Sequence, residues 1–164
     1  MILENSLHSE KARATFGSDL FKMFEERYFH ADPIPANALY DPESEHLTWI
    51  DWGVTFLISE QDKDDFLAFN GDFSHHSPEE VARQFLRAVK KDSCTDERRQ
   101  EFIDDLRVSP IPPLDSNGGG LTRLKHLLKI ANRHGIRLRQ PIRNTLTWFF
   151  RGMNVIQGLR VEES

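Results

Sequence analysis

Pro33 and Pro35 stand in the run His30-Ala31-Asp32-Pro33-Ile34-Pro35-Ala36-Asn37, and no regular helix can cross it. Each proline fixes its own φ near about −65°, lacks a backbone N–H, and pushes the residue before it out of the helical region. The segment must therefore be an irregular, rigid loop. One acid, Asp32, and one amide five residues later, Asn37, ride on it. Before the loop, about Lys11 to Tyr28 reads as a helix with Leu20, Phe21, Phe24 and Tyr28 on one face. After it, Ala38-Leu39-Tyr40 and His46 to Ile50 read as two short strands joined by the turn Asp41-Pro42-Glu43-Ser44-Glu45. Asp51-Trp52-Gly53 follows directly.

From Gly53 onward the pattern is helical. Ser59 with Asp62 has the form of an N-terminal cap for a helix carrying Phe66 and Leu67. Ser77-Pro78-Glu79-Glu80 is a stronger start: a cap, a proline at the first helical position, and an acid at the third. Val81, Phe85, Leu86 and Val89 follow at helical spacing, and a further helix holds Phe102, Ile103 and Leu106. Pro110 through Gly118-Gly119-Gly120 reads as a flexible connection. Beyond it Leu121, Leu124, Leu127, Leu128 and Ala131 form a stripe that Gly135 is placed to cap. A last helix carries Ile142, Leu146, Phe149, Met153 and Ile156. The fold class expected is mainly α with a small β-hairpin.

Composition sets outer bounds. With 38% hydrophobic and 29% charged residues, the 164-residue chain suits a soluble domain with a real core. A formal charge of −5 argues against a general nucleic-acid surface. The single cysteine, Cys94, excludes an internal disulfide and has no base at a recognisable spacing. No apolar run approaches the roughly 18 residues of a membrane span, and MILENSLHSEK lacks a signal-peptide core. A cytoplasmic location is expected, with peripheral attachment to a membrane as the alternative.

The region from Phe29 to Gly53 carries the chemistry. Phosphoryl transfer from a nucleotide asks little covalent chemistry of the protein. It needs a carboxylate to orient the acceptor and oxygen ligands for magnesium on the phosphates. Mg²⁺ is a hard cation and favours carboxylate and amide oxygens. Asp32 and Asn37 on a rigid loop, facing Asp51 after a short strand, form such a set. The spacing is that of the protein-kinase signature: His-Arg-Asp, an Asn five residues on, then Asp-Phe-Gly.

FHADPIPAN followed by LTWIDWG resembles the "FHADPHPGN … DFG" stretch of the UbiB/AarF family of atypical kinases, and RHGIRLRQPIRNTLTWFFRGMNVIQGL is similar to that family's helical end. The likeness covers roughly Phe16 to Leu159. It implies a protein-kinase-like C-terminal lobe over residues 16–160, with the catalytic loop and metal-binding hairpin at 29–53 and the helical part at 59–159. Residues 1–15 would form an N-terminal tail. By the same resemblance Asp32 is the catalytic acid, and Asn37 and Asp51 are magnesium ligands. Gly53 lets the backbone turn near the metal, and His30 is a structural loop histidine. ATP and Mg²⁺ are the implied cofactors, and support of ubiquinone biosynthesis the implied role.

The match has departures. Ile34 stands where the family has a second histidine, Ala36 where it has glycine, and Trp52 where it has phenylalanine. None removes an oxygen ligand. The fifteen residues before Phe16 are too few for a nucleotide-gripping lobe. The expectation is an incomplete or degenerate kinase or ATPase lobe, inactive alone, with the missing N-terminal lobe or a partner protein completing it.

Two other readings fit. Aminoglycoside- and choline-type phosphotransferases use a similar "HGDLHPGN … IDWE" pattern, and Ile50-Asp51-Trp52 leans their way. A non-catalytic pseudokinase module would instead bind a partner through apolar surface left bare. Arg133, Arg137, Arg139 and Arg143 form a basic cluster for which acidic lipid head groups and surface ion pairs compete as explanations. The adjacent His75 and His76 read as solvated loop.

Overall fold

Ser9 starts the first helix, α1 (Glu10–Glu26), by accepting the Ala12 N–H at 3.4 Å. The helix stops at Arg27, whose φ of 60° turns the chain left-handed. The computed structural model describes residues 9–70, 76–109, 111 and 119–158. The buried face of α1 is Ala12, Phe16, Leu20, Met23 and Phe24, a stripe at steps of three and four. The face expected from sequence needs correction at two positions. Phe21 points away, 64% exposed, and Tyr28 lies beyond the helix in a strand.

That strand, β1 (Tyr28–His30), pairs antiparallel with β4 (Thr55–Leu57). Between them, β2 (Ala38–Asp41) pairs antiparallel with β3 (His46–Trp49) as the expected hairpin. Ala38, Tyr40, Leu47 and Trp49 are buried, while Leu39, Asp41, His46 and Thr48 face outward, so register follows the two-residue period. Asp41 holds the turn: its Oδ1 accepts the Glu43 N–H at 3.0 Å. The mainly α architecture with a small hairpin is as expected, and the short β1–β4 ladder is added to it.

The chain divides into two compact units, residues 1–59 with 143–164, and residues 60–142. In the first, the aromatic core stacks Phe29 on Phe56 at 4.6 Å, sets Trp148 edge-on to Phe29 at 4.7 Å, and places Phe16 against Trp49. Trp148 comes from α6 (Gln140–Gly158), which belongs to this unit from Arg143 on. α6 lies very near α1. A Cβ at Gly152 would come within 2.6 Å of Leu20 Cδ1, so any larger residue there requires the tip of Leu20 to move.

The second unit holds α2 (Glu60–Asn70), α3 (Pro78–Leu86), α4 (Asp96–Val108) and α5 (Gly119–Arg133). Ser77 and Glu80 form the capping box read from sequence, with both reciprocal bonds made. Phe66, Phe69, Phe85 and Phe102 form the core, whereas Leu67 is 48% exposed. Gly135, at φ 66°, ends α5: its N–H reaches Asn132 O, and Ile136 N–H reaches Ala131 O, the paired bonds of a Schellman cap. Gly119 and Gly120 lie in the first turn of α5, not in a connector. Residues 112–118 and His75 lie outside the described residues.

This unit is fastened by Asp65, 3% exposed. Its Oδ1 accepts from Arg87 Nε and Gln61 Nε2, each at 2.9 Å, and its Oδ2 from Arg139 Nη2 at 2.6 Å. Arg133 likewise pairs with Asp105 at 2.6 Å. Arg133 and Arg139 of the clustered arginines thus meet carboxylates of this chain.

Candidate metal and phosphate site

The loop after β1 is held from both sides. The His30 ring is 1% exposed, and its Nε2 lies 2.9 Å from Ile50 O, while Nδ1 lies 3.2 Å from Asp32 N. A carbonyl only accepts and a backbone N–H only donates, so Nε2 carries the proton and Nδ1 is bare. His30 is thereby committed to joining the acid loop to the end of β3, the structural role the resemblance implied. Ala31 N–H adds a bond to Val54 O at 3.0 Å.

Pro35–Asn37 forms one 3₁₀ turn. It brings Asn37 back onto Asp32: the Asn37 Nδ2 donates to Asp32 O at 3.1 Å and to Asp32 Oδ2 at 3.4 Å. Asn37 O accepts the Ile50 N–H at 2.9 Å, which ties the amide to the residue preceding Asp51. Asp32, Asn37 and Ile50, the residue before Asp51, are therefore linked by hydrogen bonds through one loop and one strand end.

Asp51 adopts φ 58°, a left-handed conformation uncommon for any residue but glycine, asparagine and aspartate. Such strained positions gather at functional sites. Trp52 pins the turn, with its indole N–H on Trp49 O at 2.9 Å and its ring stacked on Tyr28. The resemblance assigned Gly53 to backbone turning, but the positive φ falls on Asp51. What Gly53 gives is room: a Cβ there would lie 3.3 Å from Asp51 Oδ1.

The donor set suits a hard cation on phosphates. Asn37 Oδ1 and the Asp51 carboxylate receive no hydrogen bond from the described residues, and both are hard oxygen donors. Among the described residues no group of three or more His, Cys, Asp or Glu is gathered to enclose an ion. Asp32 differs from both: its Oδ1 accepts from Arg151 Nη1 of α6 at 2.9 Å, and the same nitrogen lies 3.3 Å from Ala31 O. Sequence reasoning missed Arg151, for nothing local marks a partner 119 residues away.

Large apolar side chains lie exposed along the same region of the chain: Trp52, Val54, Leu57 and Tyr28. No described helix is long and apolar enough to cross a membrane.

The family model of the ABC1 atypical kinase-like domain matches residues 4–85, half of the chain, and includes every residue of the loop and hairpin. The chain belongs to that family. No curated protein and no solved structure matches it.

Proposed function

We propose that this chain carries the magnesium- and phosphate-binding half of an atypical kinase or ATPase site, with Asn37 and Asp51 as cation ligands and Asp32 as the acid that positions the acceptor. One observation carries the reading. The two nominated ligands leave their oxygens without donors, while hydrogen bonds through His30, Asn37 and Ile50 hold their backbones together. Kinase-family membership supports nucleotide use in general.

When bound, the cation would offset negative charge on the phosphates. The remaining work falls to the chain's own groups. Asn37 presents Oδ1 because its Nδ2 is occupied by Asp32. Asp51 presents a carboxylate on a short turn anchored by Trp52. Asp32 is placed to accept a hydrogen bond from an acceptor hydroxyl or water, and general-base help of this kind contributes about 10²–10⁴ in rate. The UbiB/AarF resemblance extends the proposal to a role in ubiquinone biosynthesis.

Isothermal titration of ATP with and without magnesium tests the assignment. Asp51→Asn is expected to abolish the magnesium-dependent part of the affinity, and unchanged affinity ends the ligand assignment. By mass action, ATP at about 100 times its dissociation constant adds about 2.7 kcal/mol of stability, which thermal unfolding reads independently.

A further inference from the structure

The carboxyl group of Asp32 has one donor on each oxygen: Arg151 on Oδ1 and Asn37 on Oδ2. A single carboxyl group therefore separates the Arg151 guanidinium from a nominated cation ligand. The pair is open to solvent, with side chains 50% and 48% exposed, so it exchanges readily with ions and water. Only Nη1 of the guanidinium is engaged among the described residues. The neighbouring Gly152 lies close against Leu20 of α1, so the backbone at Arg151 is placed by that helix contact.

We propose that Arg151 is a built-in counter-ion of the site, a positioning residue that holds Asp32 while no divalent cation is present and opposes cation entry by its charge. The inference rests on the reading of Asn37 and Asp51 as cation ligands. A fixed positive charge beside the loop raises the free energy of a second cation there. Removing it strengthens cation binding, the reverse of what loss of a merely structural contact would do.

Mn²⁺ alone, added to the full chain and followed by electron paramagnetic resonance, is the probe. Arg151→Gln is expected to bind Mn²⁺ about three- to tenfold more tightly than the wild type, the order set by Coulomb repulsion in a solvated, screened site. Arg151→Lys, which keeps the charge, is expected to stay within about twofold of wild type by the same reasoning. Asp51→Asn is expected to bind more weakly. A tightening absent in Arg151→Gln, or equally present in Arg151→Lys, overturns the counter-ion role while Asp51→Asn still upholds the site. If wild type fails to bind Mn²⁺, or Asp51→Asn leaves binding unchanged, the site reading fails and this proposal with it. The Arg151 Nε–H resonance gives a second readout. It is expected to move on addition of Mg²⁺ to wild type and to stay fixed in Asp51→Asn, and a resonance indifferent to Mg²⁺ in wild type also overturns the role.

Discussion

Asp65, inside α2, and Asp51, in the turn after β3, are both aspartates, yet their surroundings are opposite. Asp65 is almost wholly buried and has donors on both oxygens from Arg87, Gln61 and Arg139. Asp51 is exposed, takes no hydrogen bond from the described residues, and sits at a positive φ. A carboxylate saturated by its own chain serves the fold and has nothing left for a ligand. One held in an unfavourable backbone state with both oxygens open contributes little to the fold and stays available. Asp32 lies between these limits, half exposed and held by one arginine and one amide.

The contrast can be broken by mutation. The largest effect is expected at Asp65: Asp65→Ala removes the carboxylate that Arg87 and Arg139 share, and Arg139 keeps Asp62 at 3.1 Å. Because both arginines are partly exposed, the loss falls at the low end of the range for a broken buried pair, about 3 kcal/mol, read as a lowered urea midpoint. A loss below about 1 kcal/mol would remove Asp65 from the structural side of the comparison. Asp51→Gly works in the opposite sense. Relief of the left-handed strain is expected to stabilise the protein by about 0.5–1 kcal/mol while cation binding is lost. Destabilisation in the same urea assay would mean that Asp51 holds the turn.

The smallest effect concerns Asp105, on the surface of the second unit. The His134 ring N–H and the Arg133 guanidinium hold its carboxyl below the usual carboxylate range. A lowered folded value means that the folded state favours the charged form. The contribution is therefore full above about pH 4 and fades as pH falls through the lowered value. Comparing urea midpoints at pH 7 and pH 3 should show wild type losing more on acidification than Asp105→Asn. Equal losses would refute the pairing.

The same contrast explains what was legible in the sequence. Local signals were read well: the β2–β3 hairpin from its turn and alternation, the capping box at Ser77, and the glycine cap at Gly135 each rest on residues a few positions apart. Asp32, Asn37 and Asp51 were nominated because a motif of fixed spacing marks them, and no sequence rule reports where their oxygens point. What was missed is non-local. β1 and β4 are three residues each, too short to show a period, so Tyr28 was assigned to the preceding helix. Asp65 meets arginines 22 and 74 residues away. Phe21 fell on an apolar stripe by pattern, but tertiary packing chose the neighbouring face of α1.

Gly152 has a reach beyond its own contact. By letting two helices touch backbone to side chain, it sets how far the guanidinium next along the chain extends toward the loop. A methyl group there would meet the tip of Leu20: where Leu20 turns aside α6 stays in place, and where it does not α6 lifts and the Arg151–Asp32 ion pair lengthens. The charge environment of a loop near the start of the chain is thus adjusted by the absence of a side chain near its end.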